Sequence, residues 1–140
     1  MSKIVMVYLS NTGNTESMAN EVQKGIEENG GTVDVFVASE ADADKVLEYD
    51  TIVLGCPACG AEELDEEYIE PLMQKLEEHG LDEKKIALFG SYGWGGGEYM
   101  QTWVSRVEDA NGTLVADPVV VEEDPADVLE ACVALGKACV

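Results

Sequence analysis

Five short apolar runs alternate with amphipathic stretches along this 140-residue chain. The runs cover residues 3–9, 32–37, 51–55, 84–90 and 113–121. Most are almost continuously apolar at their centres, which is typical of strands buried on both faces of a parallel sheet. Parallel strands need long crossover connections, usually helices. The alternation therefore predicts an α/β fold in which helices cover both faces of a five-stranded parallel sheet.

Apolar side chains at helical spacing mark the connections. They predict a first helix over about residues 14–29, ended by Gly30-Gly31, and a short helix within 42–47. A third helix carries Pro71 in its first turn. The apolar stripes are formed by Met18, Val22 and Ile26; Leu72, Met73 and Leu76; Met100, Trp103, Val104 and Val107; and Val128, Cys132, Leu135 and Cys139.

Size and charge limit what the protein does. The length suits one domain, residues 1–140, with no repeat or linker. Eight Lys and Arg against 29 Asp and Glu give a net charge of −21. This excess argues against nucleic acid or anionic membrane as a partner and favours proteins with basic surfaces, although a merely soluble or halotolerant protein would also show it.

The chain shows no targeting or membrane signal in its sequence. Met1-Ser2-Lys3 leads directly into the first apolar run without a signal peptide, and no segment approaches the length of a membrane span. We therefore expect a cytoplasmic protein. Its four cysteines are expected to be reduced thiols, with Cys132 and Cys139 as small buried apolar side chains.

The first loop is rich in hydroxyl, amide and backbone donors but contains no cation. It reads Ser10-Asn11-Thr12-Gly13-Asn14-Thr15-Glu16-Ser17. A helix that begins there directs its unpaired N–H groups and its positive dipole end at one spot, which favours an anion. The absence of Lys between Lys3 and Lys24 excludes the P-loop of nucleotide triphosphatases and leaves a phosphate monoester. The alternative is that these residues only cap the helix.

The third loop has five glycines and one indole in eight positions. It reads Gly90-Ser91-Tyr92-Gly93-Trp94-Gly95-Gly96-Gly97. An aromatic ring on a glycine-rich loop at the ligand edge of the sheet suits stacking on a flat heterocycle. The alternative for Trp94 is a packing role within the loop, whereas Trp103 is expected in the core.

The middle loop contains a C-x-x-C spacing. It reads Gly55-Cys56-Pro57-Ala58-Cys59-Gly60-Ala61-Glu62. A thiol redox site would need this motif after the first strand, and the acids that follow it disfavour a thiolate. We therefore predict no dithiol chemistry. We also predict no metal site and no catalytic residue. The single histidine, His79, is expected to be a solvated residue at a helix end.

These three loops together resemble the short-chain flavodoxins, small electron carriers with bound FMN. The matching segments are Ser10-Asn11-Thr12-Gly13-Asn14-Thr15, Leu54-Gly55-Cys56-Pro57-Ala58, and Leu88-Phe89-Gly90-Ser91-Tyr92-Gly93-Trp94-Gly95. The resemblance covers essentially the whole chain. It implies a doubly wound, flavodoxin-like sheet of strand order 2-1-3-4-5, and an uninterrupted last strand without the long insertion.

The resemblance also implies where FMN binds. Its phosphate would be held by Ser10, Asn11, Thr12, Gly13, Asn14 and Thr15, with help from Ser91. Trp94 would stack on one face of the isoalloxazine, and Cys59, which stands where close relatives carry Met, would cover less of the other face. Gly60 would lie beside N5, and Glu62 would accept a hydrogen bond from N3. The remaining contacts would come from Pro57, Ala58, Ala61, Tyr92, Gly93 and Gly95.

By the same resemblance we expect a low-potential one-electron carrier rather than an enzyme. It would be a monomer that shuttles electrons between basic-surfaced redox proteins in transient complexes. Three other classes stay open to different degrees. An FMN-dependent quinone or nitro reductase usually has a longer chain, a receiver domain needs acids where Ser10 and Asn11 stand, and an FMN-binding regulator would share the same cofactor site.

Overall fold

Strands and helices alternate along the chain. In this computed structural model the described residues are 3–9, 13–57, 64–92, 98–122 and 128–140, without the side chains of Asn14 and Glu122. Their strands are β1 Ile4–Tyr8, β2 Val33–Val37, β3 Thr51–Gly55, β4 Lys85–Tyr92, β5 Thr113–Leu114 and β6 Val119–Glu122. Their α-helices are α1 Asn14–Glu28, α2 Ala43–Val46, α3 Ile69–His79, α4 Glu98–Asp109 and α5 Leu129–Cys139, and a 3-10 turn covers Ala38–Glu40.

The sheet is parallel and its strand order matches the prediction. The order is β2-β1-β3-β4-β5, and β6 also pairs with β4. Tyr8 lies beside Gly55, and Gly55 lies beside Phe89, so β1 and β3 end at the same edge of the sheet and β4 runs three residues past it. We call this edge, where β1, β3 and β4 end, the carboxyl edge. Ligands of open parallel sheets bind at this edge.

The last strand differs from the uninterrupted strand predicted over residues 113–121. β5 pairs with the start of β4, and β6 pairs with its end. Leu114 pairs with Ile86 and Val119 pairs with Phe89, but four residues separate the first two on the edge strand and only two separate their partners on β4. The two extra residues make the edge strand bulge. Pro118 lies in the bulge, and its missing N–H prevents it from donating to a ladder.

Two apolar layers fill the space between the sheet and its helices. One contains α3 and α4 with fully buried Trp103, whose Nε1 donates to Met73 Sδ at 3.4 Å. The other contains α1 and α5 with Cys132 and Cys139. Burial raises the pKa of each of these two thiols to about 12, so both stay protonated at neutral pH. The predictions of a core Trp103 and two buried cysteines are confirmed.

Helices α1 and α5 approach through two glycines. A Cβ atom on Gly25 would collide with the carbonyl oxygen of Val133. A Cβ atom on Gly136 would collide with the carbonyl oxygen of Val22 and lie 2.9 Å from Ile26 N. This close approach lets α1 and α5 share one layer over β1, β3 and β4.

One ion cluster joins α3 to α4. Arg106 donates to both carboxylate oxygens of Glu70 at 2.7 Å and to Glu77 at 2.6 and 3.1 Å. The guanidinium group lowers the pKa of Glu70 below its usual value, mainly through these hydrogen bonds. The only arginine of the chain therefore serves to hold two helices together.

Candidate functional site

The three predicted loops follow the strands β1, β3 and β4, which end at the carboxyl edge. Of the predicted site residues, the structure describes Gly13, Thr15, Pro57, Ser91 and Tyr92, together with the backbone of Asn14. The others lie outside the described residues: Ser10, Asn11, Thr12, Ala58, Cys59, Gly60, Ala61, Glu62, Gly93, Trp94 and Gly95.

Helix α1 begins at the carboxyl edge with the geometry of an anion site. Gly13 takes a φ of 91°, which favours glycine, and turns the chain into the helix. Ser17 Oγ donates to the Gly13 carbonyl at 3.0 Å. The side chain of Thr15 is 1% exposed, and its hydroxyl has no hydrogen-bond partner among the described residues. A buried hydroxyl without a partner costs free energy, so this one is suited to a ligand atom.

The middle loop begins where β3 leaves the sheet. Leu9 N donates to the Gly55 carbonyl at 2.9 Å, and Cys56 N donates to the Phe89 carbonyl at 3.2 Å. Cys56 is fully buried, and its thiol contacts the Pro57 carbonyl at 3.2 Å. The first cysteine of the C-x-x-C spacing is therefore a core residue, and the second, Cys59, lies outside the described residues.

The third loop begins later than predicted. The sequence places the end of the strand at Gly90, whereas β4 continues through Tyr92 because β6 pairs with it over Phe89–Tyr92. Ser91 and Tyr92 therefore belong to a strand rather than to a loop. Ser91 is 6% exposed, so its position is fixed by the sheet.

Tyr99 is a residue at this edge that the sequence reasoning did not identify. It lies in α4 and is 2% exposed. Its hydroxyl donates to the Cys56 carbonyl at 2.9 Å and lies 3.4 Å from the Ser91 carbonyl oxygen. The available signal was a tyrosine next to Met100 on the apolar stripe of α4, since a buried tyrosine hydroxyl usually finds a polar partner.

Charged side chains lie at both edges of the sheet, and the edge opposite the carboxyl edge carries acids such as Asp50, Asp82 and Glu83 as well as lysines. Lys3, Lys84 and Lys85 lie where β1 and β4 begin, and Lys84 Nζ donates to the carbonyls of Leu47 and Tyr49 before β3. Acids occupy the first turns of the helices. These turns lie on the side of the carboxyl edge, because each helix begins after a strand has ended there. These first-turn acids are Glu16, Asp44, Glu70, Glu98 and Glu130.

Two further observations concern membranes and metals. Within the described ranges, no helix combines the length and apolar character that a membrane span requires. The same residues contain no group of three or more His, Cys, Asp or Glu side chains arranged to hold a metal ion.

Comparison with known proteins agrees with this geometry. The family model for flavodoxin matches residues 6–136. A flavodoxin of Megasphaera elsdenii is 42% identical over 135 residues, which are 96% of each chain. A flavodoxin of Clostridium beijerinckii is 39% identical over 94% of this chain and 95% of its own length.

Solved structures show the same fold. The solution structure of two-electron reduced Megasphaera elsdenii flavodoxin superposes with a TM-score of 0.88 and covers 97% of each chain. Oxidised flavodoxin 1 of Bacillus cereus is 26% identical, with a TM-score of 0.85 over 98% of this chain and 96% of its own. The chain described here therefore belongs to the flavodoxin family, and it is an electron carrier that binds FMN.

Proposed function

We propose that this chain carries single electrons at low potential between other redox proteins and catalyses no reaction of its own. In this proposal residues 1–140 act as one monomeric domain, with FMN bound without a covalent link at the carboxyl edge. FMN, when bound, supplies the electron-accepting ring. Steady oxidation of NAD(P)H by the isolated protein would contradict this assignment and favour a reductase.

The buried hydroxyl of Thr15 is the observation that supports FMN binding most directly. It lies in the first turn of α1, where N–H groups have no intrahelical acceptor and the helix dipole favours negative charge. A phosphate monoester would accept hydrogen bonds from this hydroxyl and from the backbone of residues 13–15. These residues fit the phosphate group of FMN without any cation.

The ends of β3 and β4 lie next to the predicted contacts with the FMN ring. Pro57 follows a buried strand end, and Ser91 and Tyr92 close the neighbouring strand, so the loops that leave them start from fixed points at the same edge. We assign the ring to the space between those loops. The assigned residues there are Pro57, Ala58, Cys59, Gly60, Ala61, Glu62, Ser91, Tyr92, Gly93, Trp94 and Gly95, and the phosphate is assigned to residues 10–15.

Two threonines allow a matched test of the phosphate assignment. Thr15 and Thr51 are both buried and both carry a hydroxyl without a partner among the described residues, but Thr51 lies at the start of β3, away from the carboxyl edge. Replacing either by Val removes that hydroxyl at nearly constant volume. We expect both variants to stabilise the apoprotein by about 1 kcal/mol in urea unfolding.

Only Thr15→Val is expected to weaken the binding of FMN. Loss of a hydrogen bond to a charged group corresponds to a rise in Kd of roughly 10- to 100-fold, measured by fluorescence quenching of added FMN. Thr51→Val should leave Kd unchanged. Equal FMN affinity in the two variants would contradict the assignment of the phosphate to the N-terminus of α1.

The net charge of −21 supports the remaining parts of the proposal. A negative surface that includes the carboxyl edge attracts basic partners and accelerates their association, which suits a carrier that docks briefly. It also opposes the addition of negative charge to a bound ring. No Lys or Arg occurs in residues 4–23, 46–74 or 86–105, so none of the three loops has a cation of its own.

Neutralising acids beside the middle loop is expected to raise the midpoint potential for the second electron. A carboxylate about 10 Å from a negative charge costs roughly 0.4 kcal/mol in water, which is on the order of 20 mV for one electron. The triple variant Glu63→Gln, Glu66→Gln and Glu67→Gln should therefore raise this potential by tens of millivolts, less at high salt. Spectroelectrochemical titration at two ionic strengths measures it.

A matched charge variant controls this experiment. Glu27, Glu28 and Glu108 are exposed and lie in the later turns of α1 and α4, so their replacement by Gln changes net charge equally but farther from the carboxyl edge. In this second triple variant the midpoint potential for the second electron should stay close to that of the unmodified protein. Equal shifts in both triple variants would mean that net charge alone, and not the acids near the loop, sets the potential.

A further inference from the structure

Tyr99 connects three points at the base of the carboxyl edge. Its hydroxyl donates to the Cys56 carbonyl at 2.9 Å, where the middle loop begins. The same oxygen lies 3.4 Å from the Ser91 carbonyl, near the end of β4. Tyr99 itself is the second residue of α4, which directly follows residues 93–97 of the third loop.

We propose that Tyr99 is a positioning residue for the FMN site. This inference rests on the proposed function of the carboxyl edge. In it, the hydroxyl of Tyr99 fixes the Cys56-Pro57 peptide, so that Pro57 keeps a constant separation from the end of β4. Tyr99 thereby sets the distance between the two points from which the loops assigned to the ring start, and we assign it no contact with the ring.

The packing around Tyr99 keeps its hydroxyl in place. The side chain belongs to the same apolar layer as Met100 and Trp103, and it is 2% exposed. On its polar side, Gly90 leaves no spare volume, because a Cβ atom there would collide with both the Tyr99 hydroxyl and the Cys56 carbonyl oxygen. The hydroxyl therefore cannot move away from Cys56 without disturbing either the core or the sheet.

The Cys56 thiol is a natural reporter of this contact. It is fully buried and contacts the carbonyl of Pro57, so a shift of the Cys56-Pro57 peptide would expose it. Cys132 and Cys139 lie in the other apolar layer, on α5, and report global unfolding instead. The ratio of labelling rates between Cys56 and Cys132 separates local loosening from a general loss of stability.

The variant Tyr99→Phe removes the hydroxyl and keeps the ring. In the apoprotein we expect Cys56 to react with a maleimide about 10-fold faster relative to Cys132, assigned by peptide mass spectrometry, because one buried hydrogen bond has been lost. In the FMN complex we expect Kd to rise about 10-fold by the same reasoning. Tyr49→Phe is the control for loss of a tyrosine hydroxyl elsewhere in the molecule, since it removes an exposed hydrogen bond of 2.6 Å to Asp34 on the edge strand β2.

The outcomes distinguish this inference from the proposed function. If the unmodified protein and Tyr49→Phe bind FMN and Tyr99→Phe matches them in both labelling ratio and Kd, the positioning role is overturned while the function stands. If Cys56 and Cys132 accelerate together, Tyr99 contributes only global stability and the positioning role is also overturned. If the unmodified protein ignores FMN, the proposed function fails, and the labelling ratio of the apoprotein still tests the contact.

Discussion

Replacing Gly136 by alanine is expected to lower the free energy of unfolding by about 3 kcal/mol or more, although alanine is the better helix former by about 1 kcal/mol. The reason is the contact between α1 and α5. A Cβ atom at this position would collide with the Val22 carbonyl oxygen and lie 2.9 Å from Ile26 N. Both atoms belong to the backbone of α1, so no side-chain rotation relieves the contact, and the two helices must separate.

Urea unfolding of the apoprotein measures this loss, which corresponds to a fall in Tm of roughly 10 °C for a domain of this size. Gly30→Ala is the control. Gly30 has a φ of 87° but no atom within 4 Å of an added Cβ, so that variant carries backbone strain of about 1 kcal/mol and no collision. If Gly136→Ala is no less stable than Gly30→Ala, the close approach of α1 and α5 is not as the structure has it.

The same two helices show how far sequence reasoning reaches. The apolar stripes of α1 and α5 predicted where each helix lies and that Cys132 and Cys139 are buried, because amphipathic spacing reports which face meets the core. It does not report which residues of two helices come into register. Gly25 and Gly136 therefore carried no signal in the sequence, and their role depends on a contact between segments more than 100 residues apart.

The candidate site divides in a similar way. The strand order was taken from the resemblance to the short-chain flavodoxins. The alternation of strands and helices and the position of the polar loop after β1 followed from local patterns, since each depends on a single segment and its neighbours in the chain. The bulge before β6 and the extension of β4 through Tyr92 did not, because they arise from pairing between two strands. Tyr99 was missed for the same reason, as its partner Cys56 is 43 residues away.

Replacing Gly90 by alanine is expected to cost about 3 kcal/mol or more of stability and to weaken FMN binding at the same time. An added Cβ atom would collide with the Cys56 carbonyl oxygen and with the Tyr99 hydroxyl, where β3 and β4 lie side by side. The main-chain contact cannot be relieved by a rotamer change, so the ends of β3 and β4 must move apart. Both loops assigned to the ring leave from those ends.

Gly112→Ala is the matched control for this variant. There an added Cβ atom would lie 2.9 and 3.0 Å from side-chain carbons of Val107 and Ile86 and 3.2 Å from the Val107 carbonyl oxygen, so its two shortest contacts are with side chains, which can adjust. We expect a loss of about 1 kcal/mol and an unchanged Kd for FMN. Equal losses in the two variants, or an unchanged Kd in Gly90→Ala, would contradict the role given to Gly90.

The double variant Gly90→Ala with Tyr99→Phe separates the two collisions. Removing the hydroxyl leaves only the contact with the Cys56 carbonyl, so the double variant should be more stable than the sum of the single losses predicts, by about 1 kcal/mol. Its affinity for FMN should not recover, because Cys56 still lacks the hydrogen bond from Tyr99. Removing one oxygen atom from the Gly90→Ala variant would then restore part of its stability and none of its affinity for FMN, which is what a positioning contact, and not a purely structural one, requires.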